Sequence, residues 1–407
     1  MSFMRLCTAR RHRNRRVNRP EQRFPSPAHT GRSIAPAQCP HGRGTENVAS
    51  RSVRTPKDLV ASKLVDEADL PTIADVAQRY AVSITPAMQD RIFTVDDPVG
   101  RQFVPTGQEL LTTPEESDDP IGDDPFTPVK GVTHRYPDRV LLKPVHVCPV
   151  YCRFCFRREV VGPGDHMLRG EQLEAALDYI RAHPEIWEVI FTGGDPLIIA
   201  PSKLRPMLEA LDAIEHVKVI RFHTRIPVVD PGRVTQDLVE ALRLGTAVWV
   251  VVHTNHSQEI GDDARGALRR LVDAGVPLVS QTVLLKGVND TPEALEDLFR
   301  TLVVNRVKPY YLHQGDLAKG TGHFRTTIGE GQGLMRELRG RVSGMCQPTY
   351  VLDIPGGHGK VPIGPVYLTD DAARVTDPWG KEHAYPPAPP AAPTAPEEPG
   401  EKGRADR

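Results

Sequence analysis

Three of the six cysteines in this chain fall within eight residues. Cys148, Cys152 and Cys155, in "HVCPVYCRFCFRREVVG", follow the spacing C-x3-C-x2-C. Three thiolates so close together can hold three corners of a 4Fe–4S cube and leave the fourth iron open to a chelating substrate. The competing reading is a zinc site in a non-catalytic binding protein, with its fourth ligand distant or missing. The 3-then-2 spacing and the aromatic Tyr151 and Phe154 between the ligands favour the cluster. Two further stretches could do chemistry. In "TGGDP", Thr192 to Pro196, paired glycines let a ligand approach the backbone, although such turns are common at strand ends. "DIPGGHGK", Asp353 to Lys360, sets a lysine beside a glycine-rich turn, but no Ser or Thr follows the lysine, so it does not match a phosphate-binding Walker loop. It could instead present a lysine to the aldehyde of pyridoxal phosphate, with the glycines making room. Taken alone it also reads as a surface turn with a solvated lysine.

These stretches need a frame. From Arg139 onward, β-branched runs alternate with segments apolar at three- and four-residue spacing. The runs are "RVLLKPVHV", "EVIFTGG", "VKVIRFHT", "AVWVVVHTN", "VPLVSQTVLL" and "VKPYYLHQ". The intervening segments predict helices, several opening on a cap residue such as Ser202, Thr235 or Thr291. Six strands with five helices between them read as β/α units around a parallel sheet, either open or curled into a partial barrel. The polar residues gather after the strands, where such folds place their chemistry: the cysteines, "TGGDP", "HTR", "HTNH" and "HQGD".

The chain has 407 residues, 39% of them hydrophobic, and a formal net charge of -1. That suits a globular core and gives no general attraction to nucleic acid. No run of about 18 apolar residues is present, so no membrane span is expected. Sparse cysteines point to a reducing, cytoplasmic compartment. Residues 1–55 hold twelve arginines, no lysine and two glutamates, and read as a disordered extension rather than a nucleic-acid arm or transit peptide. Residues 56–135 read as a helical lead-in, 136–322 as the barrel and 323–380 as a C-terminal region. The Pro/Ala-rich 381–407 reads as a disordered tail.

The cysteine motif sits on a loop after the first strand and is followed by "RR". With "HRYPDR" before it, and "PYYLHQGDLAKGTGHFRT" and "DIPGGHGK" after it, the chain resembles the lysine 2,3-aminomutase family of radical S-adenosylmethionine enzymes. The likeness covers about residues 130–370, with the motifs in the family's order. It implies an α/β fold with a partial (β/α)6 barrel, and three cofactors: a 4Fe–4S cluster, S-adenosylmethionine and pyridoxal phosphate. The implied reaction moves the α-amino group of L-lysine to the β-carbon by way of a 5′-deoxyadenosyl radical. Lys360 matches the lysine that binds the cofactor aldehyde. Arg135 and Arg139 match arginines near its phosphate, and Gln281 a further cofactor contact. Contacts to S-adenosylmethionine are implied for Gly193, Gly194, Asp195, His253 and Asn255. Arg157 matches the arginine that grips the substrate carboxylate, and Asp316 and Asp353 the aspartates that hold the distal ammonium. An electron donor such as flavodoxin or ferredoxin is implied, and a homo-oligomer.

Free lysine has a carboxylate at one end and an ammonium at the other, so one arginine fork and one acidic pair make a ruler for its length. Two buried carboxylates repel unless a cation lies between them. A glutamate-specific branch would be expected to lose that pair. Other features depart from the best-known members. His358 stands where they have glycine. "CFRRE" and "LHQGD" lean toward a branch that modifies a lysine on elongation factor P. No cysteine follows Cys346, so the zinc cluster that the family's clostridial enzymes carry near the C-terminus is not expected, and the oligomeric state it supports stays open.

Overall fold

The computed structural model describes residues 51–162 and 167–387. Nine strands form one sheet whose spatial order is the order of the chain. They are β1 (Val132–Tyr136), β2 (Arg139–Val145), β3 (Glu188–Gly193), β4 (Val219–Thr224), β5 (Ala247–His253), β6 (Leu278–Val283), β7 (Val307–His313), β8 (Thr349–Ile354) and β9 (Gly359–Pro362). From β2 to β8 every neighbour is parallel; β1 and β9 run antiparallel at the two edges. The two edges meet: the Tyr136 hydroxyl, at the end of β1, accepts the backbone N–H of Lys360 in β9 at 2.7 Å. The sheet is thus a nearly closed α/β barrel. The six apolar runs became β2 to β7. β8 adds a seventh parallel strand that six β/α units did not foresee.

The helices between the strands follow their periodicity. In Asp262–Asp273 the buried residues are Ala264, Ala267, Leu268 and Leu271, one stripe at helical spacing. In Pro292–Val304 the stripe is Leu295, Leu298, Phe299 and Leu302. Thr235 and Thr291 cap as expected, each accepting a backbone N–H at 3.2 Å. Ser202 does not cap: the helix begins at Pro201, whose fixed φ suits the first helical position.

The boundaries move in three places. The reading of 1–55 as a disordered extension lies outside the described residues up to residue 50, but 51–55 belong to the body. Val53 is 2% exposed and bonds Ile84 in both directions, and Thr55 caps the helix Pro56–Ala61. The lead-in is a chain of short helices only as far as Phe126, because β1 ends it as a strand. The tail read as starting at 381 still holds a strand, Glu382–Ala384, paired with Arg374–Thr376; from 388 it lies outside the described residues. Among the described residues no helix is long and apolar enough to cross a membrane.

The lead-in does more than precede the barrel. It grips the cysteine loop. The Tyr151 N–H bonds Ser83 O at 2.8 Å, the Arg153 N–H bonds Gln102 O at 2.9 Å, and the Ser83 hydroxyl bonds Pro149 O at 2.8 Å. Glu109, fully buried, takes both Arg153 and Arg158 from that loop. Burial alone would raise the Glu109 pKa, but the two guanidiniums outweigh it and hold the carboxyl below its ordinary value. Removing either side of such a buried set strands a charge, so the contact fixes the loop's path.

Candidate active site

A cavity of about 670 Å³ runs inside the barrel. Every residue singled out for a cofactor or substrate lines it, except Asn255. The exception has a physical reason. The Asn255 amide donates to Gln102 Oε1 at 2.9 Å and its carbonyl accepts the Val283 N–H at 2.9 Å. It ties β6 to the lead-in and is fully buried, so it faces no ligand.

At one end lie the three thiols. They are close enough for Cys152 and Cys155 to push the Cys148 thiol further up, beyond the larger effects of burial and of the Asp195 charge. Burial, then Cys152, raises Cys155 to about 11. Yet among the described residues no three His, Cys, Asp or Glu side chains draw together tightly enough to hold a single metal ion. Cys152 Sγ also accepts Arg225 Nη1 at 2.9 Å, a contact absent from the sequence reading. Arg225 is held in turn by Glu259 and by Gln102 Oε1, the latter at 3.2 Å.

The "TGGDP" stretch begins within the last residues of β3. A side chain at Gly194 would stand 2.4 Å from Val147 O, inside the loop that carries Cys148. The glycine is required by that packing, whatever else approaches it. Asp195 lines the cavity, but its carboxylate accepts Thr224 Oγ1 and the Arg225 N–H, both at 2.7 Å, and fastens β3 to β4. His253 behaves differently: the residue lines the cavity, and its buried Nε2 has no hydrogen-bond partner among the described residues. That orphaned nitrogen suits a polar ligand beside the thiols.

At the other end stands Lys360. Its Nζ bonds the Asp353 carboxylate, and His313 Nδ1 lies 3.2 Å away. Burial would raise Asp353; hydrogen bonds from His313 and the Lys360 charge hold it well below the carboxylate range. The glycines before Lys360 make room chiefly for the protein's own chain. Gly357 has φ +82°, and a Cβ there would meet the Phe126 ring at 2.4 Å. Asp316 lines the same end, and among the described residues no group bonds its carboxyl. Burial and then the Asp353 charge push it up to about 7.

The arginines occupy the wall between. Arg135 and Arg157 each donate to Asp123, at 2.7 Å. Arg135 keeps a buried Nε without a partner. Arg139 pairs with Asp138 at 2.6 Å and lies over the Tyr136 ring. Gln281 lines the cavity at the end of β6. Asp123 was missed, whereas His223 and Arg225 of "HTR" and His313 of "HQGD" were placed at the strand ends without a role. His223 and His313 lie at the ends of β4 and β7 and Arg225 just past β4, whereas Asp123 lies in an acid-rich stretch with no period to single it out.

A nearly closed β/α barrel with three cysteines on the loop after its first parallel strand is the arrangement of a radical S-adenosylmethionine enzyme. The Radical SAM superfamily model matches residues 142–302, and the Lysine-2,3-aminomutase model matches residues 335–376. The chain is 42% identical over 298 residues to the L-lysine 2,3-aminomutase of Clostridium subterminale, covering 73% of this chain and 72% of that one. It is 40% identical over 314 residues to the L-lysine 2,3-aminomutase of Fusobacterium nucleatum subsp. nucleatum, with 77% and 74% covered. The glutamate 2,3-aminomutase of Clostridioides difficile is 37% identical over 298 residues, with 73% and 70% covered. The chain belongs to the lysine 2,3-aminomutase family. It is an aminomutase, and so an isomerase, and the radical SAM domain implies an iron–sulfur cluster and S-adenosylmethionine. The reading as a zinc-stabilised binding protein is thereby set aside.

Proposed function

We propose that this chain is an L-lysine 2,3-aminomutase that carries pyridoxal phosphate on Lys360. The observation that supports this best is Asp316: a carboxyl that no group among the described residues bonds, beside Asp353 and in the same cavity as Arg157 and Lys360. Such a group awaits a cation. Lys360 already supplies one to Asp353. Once Lys360 is engaged by the cofactor aldehyde, both aspartates are available to a substrate ammonium. A glutamate side chain would bring a third negative charge to the same place and be repelled.

The residues present fit the cofactors. Cys148, Cys152 and Cys155 would hold the cluster. Arg135, with its unpartnered Nε, Arg139 and Gln281 would hold the phosphate end of pyridoxal phosphate, and Lys360 its aldehyde. When bound, the cluster and S-adenosylmethionine supply a radical that removes hydrogen from the substrate β-carbon, while pyridoxal phosphate carries the migrating amino group. Arg157 binds the substrate carboxylate as a planar fork, and Asp316 with Asp353 fixes the far ammonium. The barrel wall excludes water and fixes distances. The electron donor is a reduced flavodoxin or ferredoxin.

The test is anaerobic incubation with L-lysine, reductant, S-adenosylmethionine and pyridoxal phosphate, followed by mass-resolved amino-acid analysis. β-Lysine should form, and L-glutamate should not react. Turnover of glutamate instead, or only of a lysine carried by elongation factor P, would replace this reading.

Asp316 also sets a pH dependence. Its folded pKa lies above its ordinary value, so it is neutral below about 7 and binds an ammonium poorly there. Lysine binding must then expel a proton. The kcat/KM for lysine should fall about tenfold per pH unit below that point and level off above it. Asp316→Asn should flatten the profile and lower its plateau by roughly ten- to a hundredfold, the worth of one charge-assisted hydrogen bond. A profile that keeps its inflection in the variant would reassign the titrating group. Stability runs the opposite way. The folded chain keeps this proton while the unfolded chain has lost it, so the ligand-free protein loses stability as pH rises from about 4 to about 7.

A further inference from the structure

We infer that Asp123 is a positioning residue that holds Arg135 and Arg157 as one unit, so that the cofactor's phosphate and the substrate's carboxylate are gripped by arms braced on a single carboxylate. The inference rests on the roles proposed above for those two arginines.

Asp123 is 6% exposed and lines the cavity. Its Oδ1 takes Arg135 at 2.7 Å and its Oδ2 takes Arg157 at 2.7 Å; Lys143 lies 3.8 Å from Oδ2. Burial alone would raise its pKa, but Arg157, Lys143 and Arg135 together hold it low, so the group is charged. Its carboxylate is not spent on local structure. Asp123 precedes the short turn Asp124–Phe126, yet its side chain makes no capping bond there. The backbone around it is fixed by other groups: Asp119 accepts the N–H of Asp123 at 2.8 Å and of Asp124 at 2.9 Å.

The charge balance fits the purpose. Three cations meet this one carboxylate, so Asp123 alone does not neutralise them and each arginine keeps donors for a phosphate or a carboxylate. Without Asp123, two guanidiniums and an ammonium would repel and splay in a half-buried site. With it, each arginine spends one N–H on the brace and keeps its other donors for ligand. The loop that carries Asp123 is itself seated on the turn before Lys360: a side chain at Gly122 would stand 2.4 Å from Gly357 N. Both arms and the cofactor lysine therefore share one support.

The test uses the full chain, loaded with cluster. Asp123→Asn keeps the shape and removes the charge. The dissociation constant for pyridoxal phosphate, read by absorbance titration, and the KM for lysine should rise together, each by roughly tenfold. The kcat should change less, because the group touches neither reacting carbon. A lower melting temperature with unchanged constants would mean a merely structural role and would overturn the inference. Should the Asn variant fail to fold, Asp123→Glu keeps the charge and displaces it by one methylene; both constants should again rise, and unchanged values overturn the idea equally. Wild-type protein that takes up no pyridoxal phosphate, or ignores lysine, would bring down the functional reading itself. Normal wild-type behaviour with an unaltered variant would defeat only the role given to Asp123.

Discussion

Replacing Lys360 with alanine is expected to leave a folded protein that holds no pyridoxal phosphate covalently and shows no measurable turnover. Lys360 is the only lysine among the described residues that line the cavity, and only a primary amine can capture the cofactor aldehyde. The backbone should survive the change, because the Lys360 N–H bond to the Tyr136 hydroxyl does not involve the side chain. Asp353 would lose its cation and come to share a proton with Asp316. The absorbance of the cofactor imine should disappear, while the brown colour of the cluster remains. In wild type, borohydride treatment should fix the cofactor to the peptide carrying Lys360. A label on a different lysine would end the assignment.

Alanine at Cys148, Cys152 or Cys155 should be equally severe. Each change removes one corner of the cluster, and with it the brown colour and all turnover, while the barrel still folds. Anaerobically purified wild type should carry about four irons per chain with matching acid-labile sulfide. One variant with a full cluster and activity would refute the ligand set. Cys346 supplies the control. It is 5% exposed and packed in the core, so Cys346→Ala should lower the melting temperature slightly through a small cavity and leave the colour intact.

Much of this was legible before any coordinates. The β-branched runs gave β2 to β7 because parallel strands buried on both faces must be apolar throughout. The cysteines were legible because a cluster demands fixed ligands in a short loop. Position after a strand was also legible, but direction was not. His253 ends β5 and Asn255 stands two residues further on, yet His253 lines the cavity while Asn255 is claimed by Gln102 and Val283. β8 was seen only as a conspicuous stretch, since its six residues lack a following helix to complete a β/α unit. Glu109 and Asp123 were invisible for a different reason. Their partners lie 44 and 34 residues away for Arg153 and Arg157, and nothing local in "TGQEL" or "IGDDPF" distinguishes a buried carboxylate from a solvated one.

The hold of residues 81–109 on the cysteine loop bears on how this enzyme can be divided. The barrel between β2 and β7 looks like a portable module, with its own strands, helices and ligands. It is not one. Part of the mould for its metal-binding loop is contributed by chain that precedes the first strand, through Ala81, Ser83, Gln102 and Glu109. A graft or chimera cut just before β1 would carry all three cysteines and lack the surface that shapes them. During synthesis the order is favourable: the mould leaves the ribosome before the loop it will shape.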